Sequence, residues 1–186
     1  MKDFFYFFAY GSSMNPITLI TRVRSCVAVG MARLTGHSLV FDRRSGHGGL
    51  ESAQANAIET GDVRDEIVGV VYRVDSKDSN ALDECEGTQN GYRSVTGKVE
   101  QDGKDVEARF YRADGQTADD SLSPYDWYLA LLSSGARIHG LPMTYQRQLR
   151  RIETIPDPDK DRAEAYFALA RKGESLIPFP RKAQDR

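Results

Sequence analysis

The stretch "FFYFFAYGSSMNP", residues 4–16, places six aromatic side chains within seven positions and then reaches a glycine. A short, continuously apolar run of this kind is typical of a β-strand that is buried on both faces. The glycine and two serines that follow predict a tight turn, and Asn15 and Pro16 are the residue types that cap and open a helix. The stretch therefore predicts a strand, a turn and the start of a helix over "PITLITRVR".

The turn allows two interpretations. Backbone N–H groups exposed between a strand end and a helix start can hold an anion such as a carboxylate. A Gly-Ser-Ser sequence is also common in turns that only connect two elements. The residues of the turn do not decide between an anion site and a plain connection.

The rest of the chain predicts strands first and helices later. Further strands are predicted at 38–42, 55–59, 66–74, 94–100 and 106–113, the last two joined by the hairpin turn "QDGK". Helices are predicted from the cap residue Ser123 to Gly140, at 143–153 and at 160–173, and the glycine-rich segment 43–54 is predicted to be a loop. We therefore expect one α+β domain over residues 1–186, with a helical C-terminal part from residue 143.

Composition narrows the classes of partner. The net charge is −2, from 25 Lys and Arg against 27 Asp and Glu, so no basic surplus points to nucleic acid or to an anionic membrane surface. The aromatic run is too short for a membrane span, which needs about 20 apolar residues. We expect a small-molecule partner, with no nucleic acid and no membrane. The sequence leaves the oligomeric state open, a homodimer included.

The two cysteines indicate the compartment. Cys26 and Cys85 form neither a disulfide framework nor a pair of metal-binding CxxC motifs, which favours a reducing cytoplasm. The three histidines also lack metal-ligand spacing. The sequence therefore predicts no metal site.

The segment "SKDSNALDECEG", residues 76–87, predicts a short helix that opens with a serine cap and ends before a glycine. Cys85 and Glu86 lie three and four residues after the apolar Leu82, so both flank the apolar face of this helix. Asp83 and Glu84 are predicted to turn away from it. Glu86 is therefore predicted to point inward.

An inward carboxyl group has a raised pKa. Burial disfavours the charged form of Glu86, and the negative end of the helix dipole acts in the same direction. A raised pKa suits a carboxyl group that moves protons near neutral pH. The alternative is that Glu86 forms an ion pair with an arginine, since paired buried carboxylates are also perturbed.

Cys85 suggests a different chemistry. A thiol can act as a nucleophile with a histidine as its base, and His37, His47 and His139 are the candidates. A single cysteine beside a leucine is also common as a small core residue. Sequence neighbours on one helix do not by themselves make a catalytic pair.

Four motifs together resemble the gamma-glutamylcyclotransferase-like family. They are "FFAYGSSM", "EIVGVVYRVD" leading into "LDECEG", "GYRSV" and "YLALLSSGARIHGLP", in order between Phe7 and Leu149. The resemblance implies a small mixed β-barrel flanked by helices. It also implies release of 5-oxoproline from γ-glutamyl amides, without a cofactor.

The resemblance also implies a substrate-binding loop. In the family, the loop at the end of the first strand binds the α-carboxylate of the γ-glutamyl group through backbone N–H donors. The matching residues are Tyr10, Gly11, Ser12, Ser13 and Met14. The family usually has asparagine where this sequence has Ser13, and this departure bears on substrate choice.

The resemblance assigns the remaining roles as well. The second glutamate of the family's E-x-E-G motif is its catalytic acid and base, and it corresponds to Glu86. Tyr92 and Tyr128 match tyrosines that line the family's pocket. Two other functions stay open: a non-catalytic protein of the same fold that binds γ-glutamyl ligands or is associated with stress, and a thiol-dependent amide hydrolase that uses Cys85. The sequence does not name the amine that leaves.

Overall fold

The computed structural model describes residues 3–44, 52–115 and 118–175. The strands in these ranges are β1 (Phe4–Ala9), β2 (Val27–Thr35), β3 (His37–Arg44), β4 (Ala53–Glu59), β5 (Glu66–Asp75), β6 (Tyr92–Gln101) and β7 (Lys104–Ala113). The helices are α1 (Pro16–Ile20), α2 (Ser79–Glu86), α3 (Asp126–Ile138), α4 (Met143–Leu149) and α5 (Lys160–Ser175). Single 3₁₀ turns cover Ser12–Met14, Ser76–Asp78 and Thr88–Asn90.

Five of the strands close into a barrel in the order β1, β5, β2, β6, β7, and β3 pairs with β4 in a separate two-stranded sheet. The barrel is mixed because β1 is antiparallel to β5 and parallel to β7, which it meets at Phe7 and Arg109. The predicted hairpin between β6 and β7 is present, with Asp102 and Gly103 both at positive φ, as a tight hairpin turn requires. The expected α+β class with a small mixed barrel is confirmed.

The barrel interior explains the aromatic opening. Phe7, Phe8 and Ala9 are fully buried, whereas the first three residues of β1 are half-buried. The second half of β1 is thus covered on both faces, as its sequence predicts. A side chain at Gly69 on the neighbouring β5 would meet the Ala9 carbonyl oxygen at 2.3 Å, so only glycine allows this close pairing.

Helix α3 holds the turn after β1 in place. A Cβ atom at Gly135 would lie 2.6 Å from Met14, so the helix packs directly against the backbone of that turn. The side-chain amide of Asn15 donates to Ser134 Oγ at 2.6 Å. Helix α5 packs on α3 from the outside, with Trp127 and Tyr166 stacked at 4.0 Å between ring centroids. None of the helices in the described ranges is both long and apolar enough to cross a membrane.

The structure corrects several predicted boundaries. Strand β2 was not predicted; it carries a bulge between Ala28 and Gly30 that interrupts its pattern. Helix α1 ends at Ile20, well before the end of the predicted stretch. Helix α3 is capped by Tyr125 instead of Ser123, because the preceding residues pair with the segment around Ile155. Part of the predicted loop 43–54 belongs to β3 and β4, and residues 45–51 lie outside the described residues.

Candidate active site

A cavity of about 310 Å³ opens where β1, β4, α2 and α3 approach one another. This volume lies at the lower end of the range for small-molecule sites, about 300 to 1,000 Å³. Its walls include nearly all of the predicted site residues, namely Tyr10, Gly11, Ser12, Ser13, Glu86, Tyr92 and Tyr128. The exception is Met14, whose side chain is fully buried in the core beside α3. Segments that are far apart in the chain therefore form one site.

The turn after β1 presents backbone donors to this cavity. Its 3₁₀ segment closes with hydrogen bonds of 3.0 Å from the N–H groups of Met14 and Asn15. Asn15 caps α1, as predicted, by accepting a hydrogen bond of 3.1 Å from the Ile17 N–H. The N–H groups of Ser12 and Ser13 donate to no acceptor within the described part of the chain. Two donors are thus left for a ligand, which favours the interpretation of the turn as an anion site.

Glu86 is the last residue of α2, and its carboxyl group points into the cavity. The helix ends there because Gly87 adopts a left-handed conformation at φ 79°. The Ser13 hydroxyl donates a hydrogen bond of 2.5 Å to Glu86 Oε1. The inward orientation predicted from helical spacing is confirmed.

Burial raises the pKa of Glu86 to about 7, and the hydrogen bond from Ser13 and the charge of Arg22 partly offset this rise. No ion pair among the described residues includes Glu86. The alternative of an arginine-paired structural carboxylate is therefore not supported. A pKa near 7 lets one group accept and return a proton at neutral pH.

The neighbouring acidic residues of α2 behave differently from each other. Glu84 is exposed, as predicted. Asp83 is half-buried instead of facing solvent: it accepts a hydrogen bond of 2.7 Å from Tyr111 and lies 3.6 Å from Arg109. The prediction for Asp83 was wrong because α2 packs against β7 as well as against the core.

Three tyrosines form a neutral, hydrogen-bonded wall. Tyr128 Oη accepts a hydrogen bond of 3.0 Å from the Ala55 N–H, and Tyr92 donates one of 2.5 Å to the Ala55 carbonyl. Tyr10 donates to the carbonyl of Tyr111. Burial raises the pKa of Tyr128 to about 12 and the pKa values of Tyr10 and Tyr92 well above their ordinary value. These hydroxyls are therefore protonated and can orient a substrate without carrying charge.

Cys85 lies at the cavity beside Glu86, but its surroundings do not activate it. Burial and the charge of Glu86 raise the pKa of its thiol to about 11. His37 contacts the carbonyl of Thr35 and His139 contacts Tyr72, and neither lines the cavity. His47 lies outside the described residues. A thiol with a raised pKa is a poor nucleophile at neutral pH, which disfavours the hydrolase alternative.

Arg43 is a cavity residue that the sequence did not reveal. Its side chain donates from Nη1 to Gln54 at 2.5 Å, donates from Nη2 to the Asn90 carbonyl, and stacks over the Tyr92 ring at 4.7 Å. It is only 4 % exposed. The sequence signal was an arginine directly after the apolar run "SLVFD", which continues strand β3 where a loop was predicted.

Comparison with known proteins shows which family this chain resembles in sequence and in fold. Residues 66–149 match the model of the AIG2-like family. The chain is similar to the gamma-glutamylcyclotransferase of Homo sapiens, with 32% identity over 182 residues that cover 94% of this chain and 92% of that protein. The enzyme of the same name from Bos taurus is also 32% identical, over 92% of this chain and 90% of its own. A solved structure of a gamma-glutamyl cyclotransferase superposes with a TM-score of 0.76 at 28% identity, covering 89% of this chain and 98% of that one.

Proposed function

Since the chain belongs to the gamma-glutamylcyclotransferase family, we propose that it is a gamma-glutamylcyclotransferase that releases 5-oxoproline from a γ-glutamyl amide. Glu86 is the general acid and base. The observation that carries this proposal is the Glu86 carboxyl group, with a pKa of about 7, held by Ser13 at the wall of a cavity large enough for a small molecule.

The substrate is bound through its constant part, the γ-glutamyl group. The unpaired N–H groups of Ser12 and Ser13 receive its α-carboxylate. Tyr92 and Tyr128 flank the substrate with neutral hydroxyl groups. This orientation brings the α-amine and the γ-amide to the side of the cavity where Glu86 lies.

The reaction is an intramolecular aminolysis. Glu86 as a carboxylate takes a proton from the α-ammonium group, and the freed amine attacks the γ-carbonyl carbon to form the five-membered lactam. The bond from that carbon to the amide nitrogen breaks as Glu86 returns its proton to the leaving nitrogen, and the second proton lost by the attacking nitrogen also ends on that amine, which departs in its protonated form. The products are 5-oxoproline and a free amine, and Glu86 is again a carboxylate.

Two physical effects supply the rate. Holding the amine against the carbonyl can reach effective molarities of about 10⁵ to 10⁸ M. General acid and base catalysis adds about 10² to 10⁴ in rate. The substrate's own amine is the nucleophile, so the mechanism asks nothing of Cys85.

The biological setting follows from the substrate class. Glutathione is a γ-glutamyl peptide, and we place the protein in glutathione metabolism. We also place it in the cytoplasm. Cys26 and Cys85 are both free thiols, which agrees with a reducing compartment. In reaction type the enzyme is an acyltransferase acting within one molecule, or equally a lyase.

The test is a screen of γ-glutamyl amides in ¹⁸O-labelled water, with mass spectrometry of the acid product. Cyclisation gives unlabelled 5-oxoproline and no free glutamate. Free glutamate carrying one solvent oxygen as the first product would overturn the proposal in favour of a hydrolase. A substrate with an acetylated α-nitrogen is the matched control, because it keeps the same scissile bond but lacks the attacking amine and should not react.

A non-catalytic binding protein is the remaining alternative. Such a protein would bind γ-glutamyl amides and release no product from any of them. The Glu86 carboxyl group, which has a raised pKa and no ion pair among the described residues, argues against this alternative. The same screen separates the two, since a binding protein gives neither 5-oxoproline nor glutamate.

A further inference from the structure

Arg43 is a buried positive charge that has no negative partner in the described part of the chain. Its two terminal nitrogens donate to neutral acceptors, the side chain of Gln54 and the carbonyl of Asn90. Its Nε–H is buried and has no hydrogen-bond partner within residues 3–44, 52–115 and 118–175. Among the described residues, no carboxylate lies within ion-pair distance of Arg43.

This arrangement is unusual for a folded protein. Buried charges are ordinarily paired, because removing a charge from water without a counter-ion is strongly unfavourable. The neighbouring Arg44 is exposed and nevertheless forms an ion pair of 2.7 Å with Asp119. Arg43 lines the cavity, whereas Arg44 does not. The missing negative charge of Arg43 can therefore be supplied by a ligand in the cavity.

The position of Arg43 indicates which ligand group this is. Arg43 stacks on Tyr92, whose hydroxyl donates to Ala55, and Ala55 also contacts Tyr128. A methyl group added at Gly11 would lie 3.3 Å from Tyr128 Oη and 3.6 Å from Ala55 Cβ. A continuous set of contacts thus connects Arg43 to the turn that carries the two unpaired N–H groups.

A second cation, Arg22, also lines the cavity. Arg22 is exposed, and its positive charge lowers the pKa values of Glu86 and Cys85. The positive charge of Arg43 instead lowers the pKa values of Tyr92 and Tyr128. The turn itself lies against the acid-base group, since Ser13 contacts Glu86, and Arg43 adds a buried cation to the wall of the same cavity. A γ-glutamyl group carries its α-carboxylate and its α-amine on the same carbon atom, so a carboxylate bound at the turn leaves the amine close to Glu86.

We propose that Arg43 is the counter-ion of the substrate's α-carboxylate and acts together with the backbone donors of the turn after β1. This inference rests on the proposed function and adds a specificity-determining residue to it. A buried guanidinium selects a carboxylate over a neutral amide of the same shape, because only the carboxylate neutralises it.

The test compares two γ-glutamyl amides with the same leaving amine, one with its α-carboxylate and one with an α-carboxamide. In Arg43→Gln, kcat/KM for the carboxylate substrate should fall about 10- to 100-fold, the value of a charge-assisted hydrogen bond. For the carboxamide substrate it should change less than about threefold, because no charge pair is lost. Arg44→Gln is the matched control and should keep the wild-type preference.

Two outcomes would overturn the inference. Equal losses on both substrates would make Arg43 a structural residue. A loss confined to γ-glutamyl-alanine relative to γ-glutamyl-alaninamide would place the counter-ion at the leaving group. Calorimetry with 5-oxoproline and its carboxamide gives the same comparison without turnover, so failure of the cyclotransferase reaction is distinguishable from failure of the Arg43 assignment.

A measurement on the wild-type protein tests the proposal even if the Arg43→Gln variant does not fold. In protein labelled with ¹⁵N-arginine, the Arg43 Nε–H signal is assigned by its loss in Arg43→Lys. Adding 5-oxoproline should shift this signal, and adding the carboxamide should not. An Arg43 signal that responds to neither compound, or to both alike, would contradict the proposal.

Discussion

The hydroxyl of Ser13 donates a hydrogen bond of 2.5 Å to Oε1 of Glu86. This contact joins the turn after β1 to the last residue of α2, so the proposed carboxylate loop and the proposed acid-base group are held in one unit. It also stabilises the ionised carboxyl group, which opposes the effect of burial on the pKa of Glu86. The position of the Glu86 carboxyl group and its affinity for a proton therefore both depend on its contact with Ser13.

Replacing Glu86 by glutamine should abolish most of the activity. Glu86→Gln keeps size and hydrogen bonding but removes proton transfer, so kcat should fall by about 10² or more while ligand affinity stays within a few-fold. Steady-state kinetics and calorimetry measure the two quantities. Glu84→Gln is the internal control and should be almost silent, since Glu84 is exposed. Near-normal turnover in a folded Glu86→Gln protein would remove Glu86 from the mechanism.

Removing the Ser13 hydroxyl should shift the pH dependence of catalysis. The free enzyme must carry Glu86 as a carboxylate, so kcat/KM rises with pH through the Glu86 pKa of about 7. Ser13→Ala removes an interaction that lowers this pKa, and the rising limb of the pH profile should move to higher pH.

One variant controls this experiment, and a second tests the residue that the family usually has at position 13. Thr21 lines the cavity but donates its hydroxyl to the Ile17 carbonyl, so Thr21→Ala should leave the midpoint unchanged. Ser13→Asn introduces the residue that the family resemblance leads us to expect, and it should be tolerated with a change in substrate preference. A Ser13→Ala profile that coincides with the wild-type profile would show that the contact does not tune Glu86.

Glu86 should also make the folded state less stable as pH rises. Its pKa increases from an ordinary 4.5 to about 7 on folding, so the folded state binds the proton more tightly than the unfolded state. This contribution to stability is complete below about pH 4.5 and is lost as pH rises through about 7. It amounts to at most about 3 kcal/mol. Thermal unfolding should show Glu86→Gln gaining stability relative to the wild type between these pH values, and a constant difference would contradict the raised pKa.

Cys85 should be dispensable. With a thiol pKa of about 11, it is almost entirely protonated at pH 7.5 and should react slowly with iodoacetamide. Cys85→Ser should keep turnover within a few-fold of the wild type. Rapid inactivation by iodoacetamide that is absent in Cys85→Ser would restore the thiol hydrolase as a candidate.

A side chain at Gly135 should damage both stability and catalysis. The added methyl group of Gly135→Ala would meet the Met14 backbone at 2.6 Å and push the turn away from α3. We expect a loss of about 1 to 3 kcal/mol in the free energy of unfolding, together with a raised KM. Gly115→Ala is the control, because nothing lies within 4 Å of the added group. Denaturant titration and kinetics on both variants measure the difference.

Local patterns account for what the sequence predicted well. The cap at Asn15, the end of α2 at Gly87 and the inward direction of Glu86 depend on residues a few positions apart. The buried half of β1 follows from its own aromatic content. The resemblance to the cyclotransferase family added the barrel and the residue roles that no local pattern contains.

Long-range contacts account for what was missed. Strand β2 has exposed Val27 and Val29 and a bulge, so its pattern does not match a regular strand. Asp83 was assigned to solvent because β7, which covers it, is remote in the chain. The role of Arg43 could be inferred only from the structure, which shows that its side chain is buried and that no described carboxylate forms an ion pair with it.

The parallel pairing of β1 with β7 also has a consequence for biosynthesis. During translation β1 leaves the ribosome well before β7, the strand that closes the barrel beside it. Pairings between distant segments fold slowly, because the chain must be ordered before the contact forms. The aromatic side chains of β1 therefore stay uncovered in the nascent chain, where they invite aggregation and binding by chaperones. Overproduction of the protein should accordingly benefit from slow synthesis at low temperature.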